Sequence, residues 1–345
     1  MADSTQDIHK YGTDDGWHGV IAEGGEFPPE KDRYHLYIGH FCPFAHRVQL
    51  IRHLKSLQPF ITLSVVRPHP KEGGGWRFPS GRPSASSEFA EYPGATVDHL
   101  FKSSFLSEVY FRDDKEYKGK YSVPLLWDKK SNKIVNNESA EVLRWLPTAF
   151  DSLLPKPNGS DIDFYPQELK KTIDEWTPFI QSNINLGVYR AGFATTQSAY
   201  DSAVAVLFAA LNKLEAFVHA NGGPYILGKT LTELDVRVFT TIVRFDVIYV
   251  QHFKTNLGTI RHDYPVLANW LKGVFWSDEW KGFRETCDFK HIKENYTKSH
   301  SDINPLAITP MGPFPDVESG YESDWTKLSP GEIKHPAVLE AASKL

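Results

Sequence analysis

The 345-residue chain holds only two cysteines, Cys42 and Cys287. Two thiols cannot staple a chain of this length, which excludes a disulfide scaffold as its organising principle. They suit a reducing compartment, so a cytoplasmic location is expected. Positive charge is not in excess: 38 Lys and Arg stand against 43 Asp and Glu, a net of -5. Without a concentrated basic face, nucleic acid is not an expected partner. No apolar run approaches the ~20 residues that span a bilayer, and MADSTQDIHKYGTDDGWHG at the N-terminus lacks the basic-then-apolar pattern of a signal peptide. A membrane is therefore not an expected partner either. No His, Cys, Asp or Glu group has metal-ligand spacing, and no metal is expected. The run Gly73-Gly74-Gly75 lacks the lysine and the strand–helix context of a phosphate loop. No internal repeat is visible.

What remains is an ordinary globular composition, 41% hydrophobic and 23% charged, at a length that favours two domains. Residues 1–33 are Gly- and acid-rich and read as an irregular arm. Tyr34 to Ile38 alternates like a strand, Phe41-Cys42-Pro43 turns, and Val48, Leu50, Ile51, Leu54 and Leu57 recur at helical spacing from Ala45 to Leu57. Ile61 to Val66 is a second strand, so the opening predicts a parallel βαβ unit. Residues 67–120 form an insertion rich in Gly, Pro and Ser, of a length that is usually functional or mobile. Ser122 to Trp127 and Lys133 to Val135 follow as a hairpin, and Glu138 to Leu146 as a helix stopped by Pro147. Residues 34–150 thus have the βαβ–ββα order of an α/β thioredoxin-like domain. A polar linker spans 151–166. Helical patterns at 167–190, 197–220, 232–256 and 264–275 place an all-α domain over 167–300. Residues 301–345 are an irregular extension with a short helix from Pro336 to Ser343.

Cys42 stands between a strand and a helix, with Pro43 at the first turn, where proline is tolerated. Orphan N–H groups and the helix dipole favour a thiolate there and lower its pKa from the free value of about 8.5. Ala45 occupies the position of a dithiol enzyme's second cysteine, so a mixed disulfide at Cys42 needs an outside thiol, or the distant Cys287. That absence points to glutathione. The competing reading is a small buried hydrophobe, which is the reading given to Cys287. Val123-Pro124 opens a strand, where a cis-proline would leave the preceding backbone free for a peptide ligand; an edge proline is the alternative. Asn137-Glu138-Ser139 precedes a helix. Its N-terminus suits the α-carboxylate of a γ-glutamyl group, with Glu138 accepting from the ammonium; the alternative is a cap at Asn137 with Glu141 in the first turn. Thr232 and Asp235 read as a capping box and as structural. Tyr189, Tyr249 and Tyr296 are phenols able to pack on an aromatic substrate and donate to its oxygen. His46, one turn beyond Cys42, reads as interior or surface.

The run Phe41-Cys42-Pro43-Phe44-Ala45-His46-Arg47 resembles the xi-class glutathione transferases, also called S-glutathionyl-(chloro)hydroquinone reductases. The resemblance continues through Gly75-Trp76-Arg77-Phe78, VPLLWDKKSNKIVNNES (123–139), INLGVYRAGFATTQSAY (184–200), LTELDVRVFTTIVRFDVIYVQHFKTNLG (231–258), and DFKHIKENY with SHSDINP (288–305), covering about residues 20–313. It implies a thioredoxin-like domain joined to an all-helical one, assembled as a homodimer. It implies that Cys42 takes glutathione from a glutathionyl-hydroquinone as a mixed disulfide and that a second glutathione releases it. Phe44, Trp76, Val123, Pro124, Glu138 and Ser139 would then hold glutathione, and Tyr189, Tyr249 and Tyr296 would surround an aromatic quinol. Three positions depart from the family: Phe44 for tryptophan, Thr297 for the second tyrosine of a pair, and Thr255 for cysteine. A transferase or thioltransferase of an aromatic pathway, or a glutathione-binding regulator without catalysis, are the alternative functions.

Overall fold

The computed structural model describes residues 16–71, 75–82, 89–155 and 162–345. Gly73 and Gly74 of the glycine run, and residues 156–161 of the linker, lie outside the described residues. The chain divides into two compact units. One combines 8–163 with Thr286–Thr309; the other combines Phe164–Glu285 with Pro310–Leu345.

The first unit is built on a sheet of order β2-β1-β3-β4, with β1 at Tyr34–Ile38, β2 at Ile61–Val65, β3 at Leu125–Asp128 and β4 at Lys133–Asn136. β2 runs parallel to β1, with Tyr34 opposite Ile61 and Ile38 opposite Val65; β3 and β4 are antiparallel additions. Between β1 and β2 lies helix α1, Pro43–Leu54. Every β1 residue is buried, because both faces of the strand are covered and side chains alternate between them. On one face Tyr34 meets Phe150, the C-cap of the helix Ser139–Ala149. On the other, Tyr37 meets Phe78 of the insertion edge-on, and its hydroxyl donates to Asp98 at 3.0 Å. The insertion is therefore a covering layer. It carries a helix the sequence reading lacks, α2 at Leu106–Asp113, whose entry is fixed by Glu108 accepting from the Phe105 and Ser104 N–H groups. Helix α3 runs Ser139–Ala149 and includes Pro147. The expected stop at Pro147 is not observed, since a proline in the final turn sacrifices one late hydrogen bond. Described residues of the arm lie along β4, with Gly19 N–H donating to Val135 O at 2.7 Å and Asn136 Nδ2 donating to Gly19 O, and so cover the sheet edge.

The returning segment 286–309 contains helix α9, Phe289–Ser299. The sequence reading placed it in the helical domain, with a boundary at 300. The structure ties it to the insertion: Asn295 Nδ2 donates to Pro68 O at 2.7 Å, His291 Nε2 to Pro93 O at 2.7 Å, and Tyr92 OH to Glu294 at 2.8 Å. These are side-chain contacts over some two hundred residues, invisible to local periodicity.

In the second unit, α4 (Lys170–Ile180), α5 (Gly187–Gly192), α6 (Gln197–Asn221), α7 (Glu233–Arg244) and α8 (Pro265–Phe275) form the bundle. Two expected continuous helices are broken by π turns, at Gln181–Asn185 and Phe245–Tyr249. A shift from i→i+4 to i→i+5 leaves the apolar pattern nearly unchanged, so it escapes a period count. At 25 residues, α6 is long and apolar enough by length and composition to cross a membrane, which corrects the expectation that no run approaches that length. It is a core helix. Leu207, Phe208, Leu211 and Leu214 are buried, and its Glu215 carboxylate accepts from the Val266 and Leu267 N–H groups, each at 2.8 Å. The extension ends in helix α10, Pro336–Ala342, packed on α6.

Candidate active site

Cys42 occupies the N-cap of α1, with extended backbone (φ -78°, ψ 119°) and Pro43 as the first helical residue. The following residues can enter the helix because proline supplies its φ and needs no N–H partner. The helix is held from below by buried Ala45, Val48, Leu50 and Ile51 and by Arg52 Nε donating to Ile61 O. His46 is an interior residue, hydrogen-bonded to Thr286 Oγ1 at 2.7 Å in the returning segment. Half-buried Cys42 places its Sγ 3.5 Å from Val123 O, and Val123-Pro124 is cis. Neither Cys42 nor Cys287 is in a disulfide.

The first unit also holds several of the predicted residues. Trp76, 9% exposed, packs on Phe41 with ring centroids 4.4 Å apart. Its backbone is pinned by Leu106 N–H donating to Trp76 O and Phe78 N–H to Ser104 O. Lys71 Nζ lies over the Trp76 ring, 5.0 Å from its centre. Phe44 is half-buried, and the Arg47 guanidinium stands 5.0 Å from its ring. Glu138 is the N-cap of α3 and accepts from Ala140 N–H at 2.9 Å. Asn137, the expected cap, instead accepts from Trp17 N–H, because Glu138 reaches the helix end first. Burial pushes the Glu138 carboxyl up, while the Ala140 N–H and the charge of Arg47 draw it down. Ser139 opens the helix, 4% exposed.

The tyrosines separate. Tyr189 and Tyr249 are neighbours in the second unit, with centroids 6.1 Å apart, and both pack on Phe253. Each follows or ends a π turn, a device common at functional sites. Tyr296 belongs to the first unit, where it meets His300 edge-on at 5.6 Å. Thr297 is buried and its hydroxyl donates to Lys293 O at 2.8 Å; Thr255 is likewise buried. The Thr297 hydroxyl is thus satisfied by a backbone carbonyl, whereas that of Thr255 has no hydrogen-bond partner among the described residues. Thr232 and Asp235 form a capping box, within a wider carboxylate hub. Among the described residues no group of three metal-ligating side chains is found. Sequence reading did not single out Arg47 or Lys71, since only the fold sets Arg47 against Phe44 and Lys71 over Trp76.

Comparison with known proteins decides the family. Family models for the N-terminal and C-terminal domains of glutathione S-transferase match residues 41–149 and 197–273. The chain is 47% identical over 300 residues to "Glutathione S-transferase omega-like 2" of Schizosaccharomyces pombe, covering 87% of this chain and 91% of that one. The chain belongs to the glutathione S-transferases, xi class. Among solved xi-class structures, that from Phanerochaete chrysosporium superposes with a TM-score of 0.82 at 42% identity, covering 88% of this chain and 97% of that one. The glutathione-bound YqjG of Escherichia coli superposes at 0.79 and 42% identity, covering 91% and 96%. In sequence, "Glutathionyl-hydroquinone reductase YqjG" is 44% identical over 312 residues, 90% of this chain and 88% of that protein. The thioredoxin-like and helical units of this xi-class transferase correspond to the two domains of the family.

Proposed function

We propose that this protein is a glutathione-dependent reductase that removes glutathione from glutathionyl-hydroquinones, with Cys42 as nucleophile. The observation that carries the reading is Cys42 at the N-cap of α1 beside the Val123-Pro124 turn, in a chain akin along most of its length to a named glutathionyl-hydroquinone reductase. Glutathione is the co-substrate. Its γ-glutamyl carboxylate would take the N-terminus of α3 at Ser139, where orphan N–H groups and the dipole favour an anion. The second carboxylate oxygen of Glu138 would accept from the ammonium, since the first is used by Ala140. The Val123 backbone before Pro124 would pair with the tripeptide, and Trp76 and Phe44 would pack against it. Tyr189, Tyr249 and Tyr296 are the phenols this reading assigns to the aromatic substrate.

In the reaction the Cys42 thiolate attacks the sulfur of the glutathionyl thioether, beside the ring in its keto form. An S–S bond forms and the S–C bond breaks. Its electron pair passes to the ring, which takes up a proton and leaves as hydroquinone. A second glutathione thiolate then attacks the mixed disulfide, and oxidised glutathione departs. In sum the thioether sulfur and the second glutathione's thiol give up one electron each as they join in oxidised glutathione, the C–S bond is replaced by C–H, and Cys42 is regenerated. The proposal extends to a homodimer in a cytoplasmic setting, from the resemblance and from two cysteines that form no disulfide.

The test is incubation with glutathionyl-menadiol and excess glutathione, beside Cys42→Ala. Menadiol release by the wild type that vanishes in the variant is expected. Equal release by both would overturn the role of Cys42.

A further inference from the structure

The two segments assigned to glutathione, Val123-Pro124 and Glu138-Ser139, continue β3 and β4 outward. The β3–β4 ladder stops at Leu126 opposite Asn136, and Pro124 has no N–H with which to carry it further. Beyond that rung the ladder does not set the distance between the two segments. A side chain of the insertion spans them instead. Tyr110, from helix α2, is buried, and its hydroxyl donates to Ser122 O at 2.8 Å. The same oxygen accepts from Asn137 Nδ2 at 3.4 Å. The amide's orientation is settled at its other end: Asn137 Oδ1 accepts from Trp17 N–H at 3.0 Å, which leaves Nδ2 to face the phenol. Ser122 and Asn137 directly precede Val123 and Glu138. One hydroxyl therefore joins the residues that lead into both halves of the site.

The phenol itself is held in place. Its ring stacks on Tyr117 with centroids 5.2 Å apart, and meets Tyr121 at 5.6 Å and Trp17 of the arm at 5.5 Å, both edge-on. Burial, outweighing the bonds to Ser122 and Asn137, pushes its pKa up to about 12, so the hydroxyl remains a donor at neutral pH. We propose that Tyr110 is a positioning residue for glutathione, its hydroxyl fixing the Val123 backbone at a set spacing from Glu138 and the N-terminus of α3 so that one tripeptide engages both. A ligand held at two points binds well only where the spacing is preset, because ordering the site on binding costs affinity. The inference rests on the reading of these two segments as the glutathione site. It gives the insertion a task in binding besides covering the sheet.

The test measures, by calorimetry, the Kd of S-methylglutathione, which has no thiol to exchange with Cys42. The full chain is compared with Tyr110→Phe, Asn137→Ala, the double variant, Tyr117→Phe and Glu138→Gln, with a thermal melt of each. Tyr110→Phe keeps the ring and loses both bonds, and its Kd should rise about five- to tenfold. Asn137→Ala should weaken binding too, and the double variant should bind within about twofold of the weaker single one, because both break the same tie. Tyr117→Phe removes a hydroxyl of the same cluster that donates to Lys120 O, and should bind as the wild type does. A Tyr110→Phe variant that melts lower yet binds with wild-type Kd has lost only stability; that result overturns the role of Tyr110 and leaves the site reading standing. Should Tyr110→Phe fail to fold, an unchanged Kd in Asn137→Ala overturns it equally. Glu138→Gln keeps an acceptor for Ala140 N–H and should weaken binding; a wild-type Kd there overturns the reading of the site, and the inference with it.

Discussion

Replacing Asp235 by alanine should unfold the helical unit at much lower denaturant while leaving the chemistry of each folded molecule intact. The carboxylate is buried at the start of α7. Oδ1 accepts from Ile226 N–H at 2.9 Å and Trp270 Nε1–H at 3.0 Å; Oδ2 accepts from Thr232 N–H at 2.9 Å and from its hydroxyl at 3.2 Å. Alanine orphans three buried N–H donors at about 1–3 kcal/mol each, partly offset by water in the vacated space, so a loss of about 3–5 kcal/mol is expected. Burial, outweighing these hydrogen bonds, pushes the carboxyl up to about 6. A folded pKa above the unfolded value of about 3.9 means that the group's contribution is full at low pH. It is lost as pH rises through 6. Roughly 1.4 kcal/mol of that change falls between pH 5 and pH 7.5. Asp235→Asn removes the titration, so its stability relative to wild type should improve by that amount over the same interval. Urea unfolding followed by circular dichroism at both pH values measures this, with menadiol release per folded molecule measured alongside. A loss below about 1 kcal/mol for alanine, or release that collapses in a stably folded Asn variant, would refute a structural role.

Gly192→Ala should disturb the aromatic cluster, because a Cβ there would collide with the Phe253 ring on which Tyr189 and Tyr249 pack; the expected result is a raised KM for the aromatic thioether with unchanged Cys42 alkylation. Glu294 is raised by desolvation, but hydrogen bonds from Lys298, Tyr92 and His69 prevail and set it at about 2. Its stabilisation is present above about 4.3 and fades as pH falls towards 2. Glu294→Gln, discounted for partial exposure, should therefore cost about 1–2 kcal/mol at pH 7 and almost nothing near pH 2.5, read by amide exchange in α9. Glu215→Ala removes the acceptor of Val266, Leu267 and Gly331 N–H; a loss of about 3 kcal/mol and faster proteolysis within 310–345 are expected.

Much of this was legible beforehand because the signals are local. Alternation gave β1, Pro43 after Cys42 gave a helix start, and the hairpin followed from Asp128 to Asn132. The Thr232–Asp235 spacing gave a capping box, but not the Ile226 and Trp270 bonds that make Asp235 a hub. The assignment of α9 to the first unit was illegible, since it depends on Asn295, His291 and Glu294 meeting Pro68, Pro93 and Tyr92 across the chain. The cap at Glu138 was misread for a related reason: Asn137 is the better capping residue in isolation, but the arm at Trp17 engages it. Lys71 gave no sign, being an ordinary lysine until Trp76 is folded beneath it.

The most direct test mixes the protein, freed of glutathione, with one equivalent of glutathionyl-menadiol and no added thiol. Intact-protein and peptide mass spectrometry should find one glutathione on Cys42, formed as fast as menadiol appears. Menadiol released with Cys42 unmodified, or glutathione carried on Cys287 instead, would contradict the mechanism.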